Sequence, residues 1–156
     1  MIKLNFYVQS NNWPRRINKV KKITNKVIKE KTNLNFDKNI NYYLNIILLN
    51  DGEMKKLNLK FKKINKTTDV LTFVSTSKNI NYNKTKYCDI FFSAEIIKLD
   101  SKKNKINFYD HFTHLLVHSF LHINGHMHKK ANDFIKMQNT EIAILNKMGL
   151  QNPYLF

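Results

Sequence analysis

The chain has 156 residues, 27 Lys and Arg against 11 Asp and Glu, a formal net charge of +16 and one cysteine. The length suits one domain around one core, and the longest apolar run, Ile46 to Leu49, is far short of the ~20 residues a membrane-spanning helix needs. Met1 to Ser10 lacks the anatomy of a signal peptide, and the single Cys88 excludes an internal disulfide and fits a reducing compartment, so a cytoplasmic protein is expected.

The alternation Ile2, Leu4, Phe6, Val8 predicts a first strand. Pro14 suits the first turn of a helix, and Ile17, Val20, Ile23, Val27 and Ile28 continue it to about Thr32. Asn33 to Lys38 reads as a polar link. Ile40 to Leu49 alternates as a second strand whose far end is apolar on both faces. Asn50-Asp51-Gly52 reads as a turn and a cap, and Met54, Leu57 and Phe61 as a short helix to about Lys62. Asp69 to Val74 and Tyr87 to Phe92 read as strands three and four, with Ser75 to Lys86 a polar, mobile connection. Glu95 to Lys98 starts a short helix and Ser101 to Lys105 is a basic loop. Helices are expected over about Ile106 to Asn124 and Asn132 to Met148, the second stopped by Gly149 and Pro153. This order predicts an α+β fold: a single domain, a roughly four-stranded mixed sheet packed by helices, and a zincin-like histidine helix near the C-terminus.

The positive charge favours polyanions. RNA is the first candidate partner and an anionic membrane surface the second. A/T-rich codons would produce the same surplus of Lys, Asn and Ile, because Arg15 and Arg16 are the only arginines.

All six histidines lie between His111 and His128. His118 and His122 are four apart, hence one turn apart on one helix face. Gly125 can take a backbone turn that side chains resist, which would bring His128 to the same point. Three imidazoles with a fourth position left to water are the donor set of catalytic zinc. The expected ligands are therefore His118, His122 and His128, with His114 the competitor to His128. A lone histidine on a helix is more often core or surface than a ligand, but His111, His114, His118 and His122 form a stripe on an apolar helix, and buried imidazoles need satisfying. His111 and His114 read as residues behind the ligands, core or RNA contacts. His126 reads as a substrate contact or a substitute ligand. Imidazole donors make zinc the default, one ion. Ser119 stands where the zincin proteases carry a glutamate base, so proteolysis of that type is not supported.

The segment His118 to His128 resembles the H-G-x-L-H-L-x-G-Y-D-H signature of the bacterial YbeY endoribonucleases. Asn50-Asp51 to Leu57-Asn58, Lys66 to Phe73, Cys88-Asp89-Ile90, His111 and His114, and Glu141 to Leu150 with Asn152-Pro153-Tyr154 are similar to further stretches of that family, covering about Ile40 to Tyr154. The resemblance implies a single YbeY-like endoribonuclease domain over residues 1–156. It implies a metal-dependent, single-strand-specific endoribonuclease that acts in ribosomal RNA processing, at the 3′ end of small-subunit rRNA, and in ribosome quality control. Its three zinc-binding histidines carry over to His118, His122 and His128, and its partners to single-stranded rRNA and the small ribosomal subunit, with no membrane.

Five positions depart from the family pattern. Ser119 replaces a glycine and Thr67 a proline. His126-Met127 replaces Tyr-Asp, removing a carboxylate that would orient a ligand. Lys62 aligns with a family arginine, keeping the charge but losing the planar fork that grips phosphate. Lys62 is nonetheless the expected catalytic cation, with Lys66 assisting on the RNA backbone. Asp89 reads as a group orienting a ligand or, more simply, as a structural acid of its strand. Lys129 and Lys130 read as phosphate contacts or as a solvated helix start. A non-catalytic assembly factor that keeps the metal and the rRNA surface, and a metal hydrolase with another substrate, are the rival functions.

Overall fold

In the computed structural model, which describes residues 1–126 and 129–155, the strands are β1 (Ile2–Val8), β2 (Ile40–Leu49), β3 (Val70–Lys78) and β4 (Lys84–Ser93), and the helices are α1 (Ile17–Ile28), α2 (Asp51–Lys62), α3 (Ala94–Lys103), α4 (Phe108–Ile123) and α5 (Ala131–Lys147). The strands form one sheet in the order β1-β2-β4-β3. β1 and β4 flank β2 in parallel, and β3 closes the sheet antiparallel to β4. The expected α+β fold with a four-stranded mixed sheet is therefore observed. Among the described residues no helix is long and apolar enough to cross a membrane.

Side-chain alternation divides the sheet into two faces. Tyr42, Leu44, Ile46 and Leu48 of β2 and Cys88, Ile90 and Phe92 of β4 point to the main core, where Phe92 meets Phe112 of α4 with ring centroids 4.7 Å apart. The opposite face is polar near its centre. The amide of Asn5 donates to Asn45, and that of Asn45 donates to Asp89 Oδ1 at 2.8 Å. Asp89 thus stitches β2 to β4 on the face turned away from α4, which makes it a structural acid of its strand.

Three departures from the expected elements share one cause, tertiary contacts that override local signals. α1 begins at Ile17 rather than at Pro14 because Trp13 is drawn into the core, where its indole N–H donates to the Leu49 carbonyl at 2.9 Å and its ring meets Phe108 and Phe112 edge-on. The polar link 33–38 carries two anchors: Leu34 is buried, and Phe36 packs on Tyr42 and Phe120. The stretch expected as a loop from Ser75 to Lys86 is mostly strand, because β3 and β4 stay paired from Val70↔Phe92 to Lys78↔Lys84. Pairing of the backbone needs no apolar side chains, so composition could not show it. α3 also runs on to Lys103, which places Asp100 on a helix rather than at its exit.

Trp13 joins β2 to α4, so Trp13→Ala is expected to cost about 3–5 kcal/mol of stability, measured by urea unfolding. Trp13→Phe, which loses the hydrogen bond but keeps most of the ring, should cost less than half of that.

Candidate metal centre

α4 starts at Asn107, whose side chain accepts from the Tyr109 N–H at 2.8 Å, an ordinary N-cap. Phe112, Leu116, Val117, Phe120 and Leu121 bury most of its circumference. The histidines occupy the remaining strip. Ring centroids of His111 and His114 are 6.3 Å apart, those of His114 and His118 6.4 Å, and those of His118 and His122 only 4.5 Å. The stripe therefore converges at its C-terminal end, where the Nε2 atoms of His118 and His122 lie 3.0 Å apart.

Two different acceptors set the tautomers. Nδ1 of His118 faces Oε1 of Glu141, and Nδ1 of His122 lies 3.0 Å from the His126 carbonyl oxygen. A carbonyl and an ionised carboxylate only accept, so both Nδ1 atoms carry the proton. In the neutral rings the lone pairs then sit on the two Nε2 atoms that converge. Two lone pairs repel at that distance, and a shared cation resolves the repulsion. Two nitrogens bound to one zinc at 2.0–2.1 Å in a tetrahedron are roughly 3.3 Å apart, close to the separation observed here. The donor set thus fits a metal ion.

The end of α4 makes the second of these acceptors. Gly125 takes φ +96°, its N–H donates to the His122 carbonyl at 3.1 Å, and the His126 N–H reaches back to the Leu121 carbonyl at 3.0 Å. This is a Schellman turn, and it lays the His126 carbonyl against the His122 ring. His126 enters the site through its backbone. His128 and Met127 lie outside the described residues.

Glu141 was absent from the expected site residues and is its principal support. It is fully buried on α5 and receives donors from His118 Nδ1, from His114 Nε2 at 3.2 Å, and from the Tyr154 hydroxyl. Burial alone would raise its pKa, but the hydrogen bonds from His114, His118 and Tyr154 outweigh it and bring the carboxyl down from 4.5 to about 2. Burial, and then the same carboxylate, pushes the Tyr154 phenol up, which keeps it a donor. A signal existed in the sequence. Met137, Glu141, Ile144 and Leu145 share one face of α5, and an acid on an apolar face needs partners. The carboxylate missing at Met127 thus has a counterpart reached from another helix.

Lys62, at the end of α2, lines a groove of about 600 Å³ together with Asp69, Thr72, Val74, His118, Ser119 and His122. Its ammonium lies 5.6 Å from the Phe73 ring centroid. The groove runs between the edge strand β3 and the histidine strip. Lys66 serves the fold through its backbone, its carbonyl accepting from the Asn58 side chain at 2.8 Å. Ser119 is buried and donates to the Leu115 carbonyl at 2.9 Å, so it is no base. His114 turns its Nε2 to Glu141, and Lys129 and Lys130 are exposed at the start of α5. His111 is buried a turn earlier, and with Asp69 and Asp100 it brings three potential ligand atoms within 4.8 Å of one another.

Glu141→Gln removes the charge at constant volume and is expected to weaken metal binding by about 10–100-fold, measured by competition with a chromophoric chelator. A depressed carboxyl pKa stabilises the fold above its ordinary value and loses that contribution as pH falls through the folded value. The stability difference between wild type and Glu141→Gln should therefore be full above pH 4.5 and shrink towards pH 2, followed by urea unfolding at each pH.

The model of the family Endoribonuclease YbeY matches residues 7–149. The chain is 35% identical to the Endoribonuclease YbeY of Ehrlichia chaffeensis over 99% of its own length and 97% of that protein. It is 36% identical to the namesake of Anaplasma phagocytophilum over 74% of the chain and 73% of the relative. The solution structure of TM1509 from Thermotoga maritima superposes with a TM-score of 0.55 at 19% identity, over 96% of this chain and 92% of that one, a likeness of fold. A family match across almost the whole chain, joined to converging histidines on the helix that carries the signature, places this protein in the endoribonuclease YbeY family.

Proposed function

We propose that this chain is a zinc-dependent, single-strand-specific endoribonuclease acting in ribosomal RNA processing, at the 3′ end of small-subunit rRNA, and in ribosome quality control. The observation that carries the metal is the 3.0 Å approach of the His118 and His122 Nε2 atoms, each ring held by an acceptor on its other nitrogen. His118, His122 and His128 hold one zinc ion in this reading, and residues 1–156 act as one YbeY-like domain in the cytoplasm. The substrate class rests on family membership and on the net charge of +16.

Bound zinc would supply a water of pKa about 7 and polarise a phosphoryl oxygen. The residues of the chain do the rest. Lys62 grips a phosphate beside the histidines and stabilises charge that builds on it. The groove between β3 and α4 admits an extended single strand, and the ammonium of Lys62 approaches it from the rim. Glu141 holds the His118 ring in its tautomer, and the His126 carbonyl holds that of His122. As a lysine at a family arginine position, Lys62 acts as a point charge rather than a bidentate clamp.

Purified protein incubated with single-stranded rRNA should cleave it, and a chelator or His122→Ala should abolish cleavage. Tight RNA binding without cleavage would instead identify a non-catalytic assembly factor, and neither binding nor cleavage would point to a hydrolase with another substrate. Lys62→Ala is expected to lower kcat/KM on the order of 10²-fold, while Lys62→Arg should retain or exceed wild-type activity in the same assay.

A further inference from the structure

A second cluster lies about two helical turns back along α4. We propose that Asp69, Asp100 and His111 form a second divalent-cation site, separate from the one at His118 and His122. One potential ligand atom from each residue lies within 4.8 Å of the others, and the residues come from three places: the loop end just before β3, the last turn of α3, and α4.

The His111 ring is the observation that asks for a ligand. The residue is only 8% exposed, and neither of its buried ring nitrogens has a hydrogen-bond partner among the described residues. Its Nε2 stands 3.9 Å from Asp100 Oδ2, too long for a hydrogen bond. Native structures rarely leave both nitrogens of a buried imidazole unsatisfied. A proton alone is a poor remedy, since burial, then the neighbouring His114, hold this ring below its ordinary pKa against the pull of Asp69 and Asp100. A neutral imidazole is what a metal ion takes.

The carboxylates complete the set. Asp69 is fixed because its Oδ1 accepts from the Val70 N–H at 2.7 Å and from the Thr68 hydroxyl at 3.3 Å. The Asp100 side chain is 36% exposed, which leaves an approach for ion and water. Two carboxylates neutralise a divalent ion, and two oxygens with one imidazole suit a first-row transition ion such as Mn²⁺ better than Ca²⁺. His111 and His118 are seven residues apart, about 10 Å along the helix, so one ion cannot serve both sites. Asp69 also lines the groove that contains Lys62, His118 and His122. An ion at Asp69 would meet a second phosphate of a strand lying in that groove.

The test uses full-length protein loaded with zinc and then titrated with Mn²⁺, followed by the loss of the free-ion EPR signal and by broadening of the His111 imidazole NMR resonances. The expected result is one Mn²⁺ bound per chain, with the His111 resonances broadened before those of the other histidines as sub-stoichiometric Mn²⁺ is added. Asp100→Asn, a partly exposed position that the fold should tolerate, is expected to weaken Mn²⁺ by more than about tenfold, the lower end of what loss of even an outer partner costs. His111→Gln should abolish binding, and His122→Ala should leave the Mn²⁺ affinity unchanged. Mn²⁺ that ignores Asp100→Asn, or that leaves His111 sharp, would overturn the second site whether or not the protein cleaves RNA.

Discussion

The buried carboxylate of Glu141 is the interaction on which the arrangement of the metal centre depends. An ionised acid in the core costs several kcal/mol unless its oxygens are met by donors. Here the donors come from His114 and His118 on α4 and from Tyr154 near the end of the chain. One side chain of α5 thereby holds two histidine rings, the C-terminal segment and its own helix in register. Losing any donor leaves a buried charge underpaired, so the contact constrains geometry more strongly than an apolar one of equal area would. It also ties the orientation of a candidate ligand to the packing of the core.

His122 is held by a different device. Its acceptor is a backbone carbonyl, placed by the glycine turn that ends α4. That helix end is secured from the sheet as well, since the Lys86 ammonium donates to the Ile123 carbonyl at 3.0 Å. A cation at a helix C-terminus also complements the helix dipole. The two converging imidazoles therefore rest on separate supports, one in the helical layer and one in the turn and strand β4.

The two faces of the sheet divide the work. The core face takes α4 and leaves a groove along β3, the edge strand, lined by Lys62, His118 and His122 among others. The opposite face carries the Asn5-Asn45-Asp89 ladder and the stacked pair Tyr43 and Tyr87, with centroids 5.2 Å apart. Asp89 sits in that ladder, so its negative charge is directed away from the groove and does not oppose an anionic substrate there. At the far tip of the β3–β4 hairpin, Ile80 and Tyr82 stand exposed between Lys78 and Lys84. Two lysines thus flank the exposed apolar tip of the hairpin.

Periodicity was sufficient for the order of elements, because strands with one buried face alternate and amphipathic helices repeat every three to four residues. It located β1, β2 and α4 nearly to their ends, and the spacing of His118 and His122 placed both rings on one helix face without any structure. The family signature was legible for a related reason: chemistry constrains residue type and spacing within a short segment. What remained hidden was set by partners distant in sequence. The polar strands of the β3–β4 hairpin are held by backbone pairing that composition does not record. Trp13 leaves its helix for a carbonyl in β2. Glu141 becomes a ligand-orienting group only because α5 packs against α4, and His111 lacks a hydrogen-bond partner among the described residues because Asp100 of α3 and Asp69, just before β3, close around it at longer range. Local sequence determines which groups a segment can offer; long-range packing decides which of them meet, because burial forces polar groups to find one another.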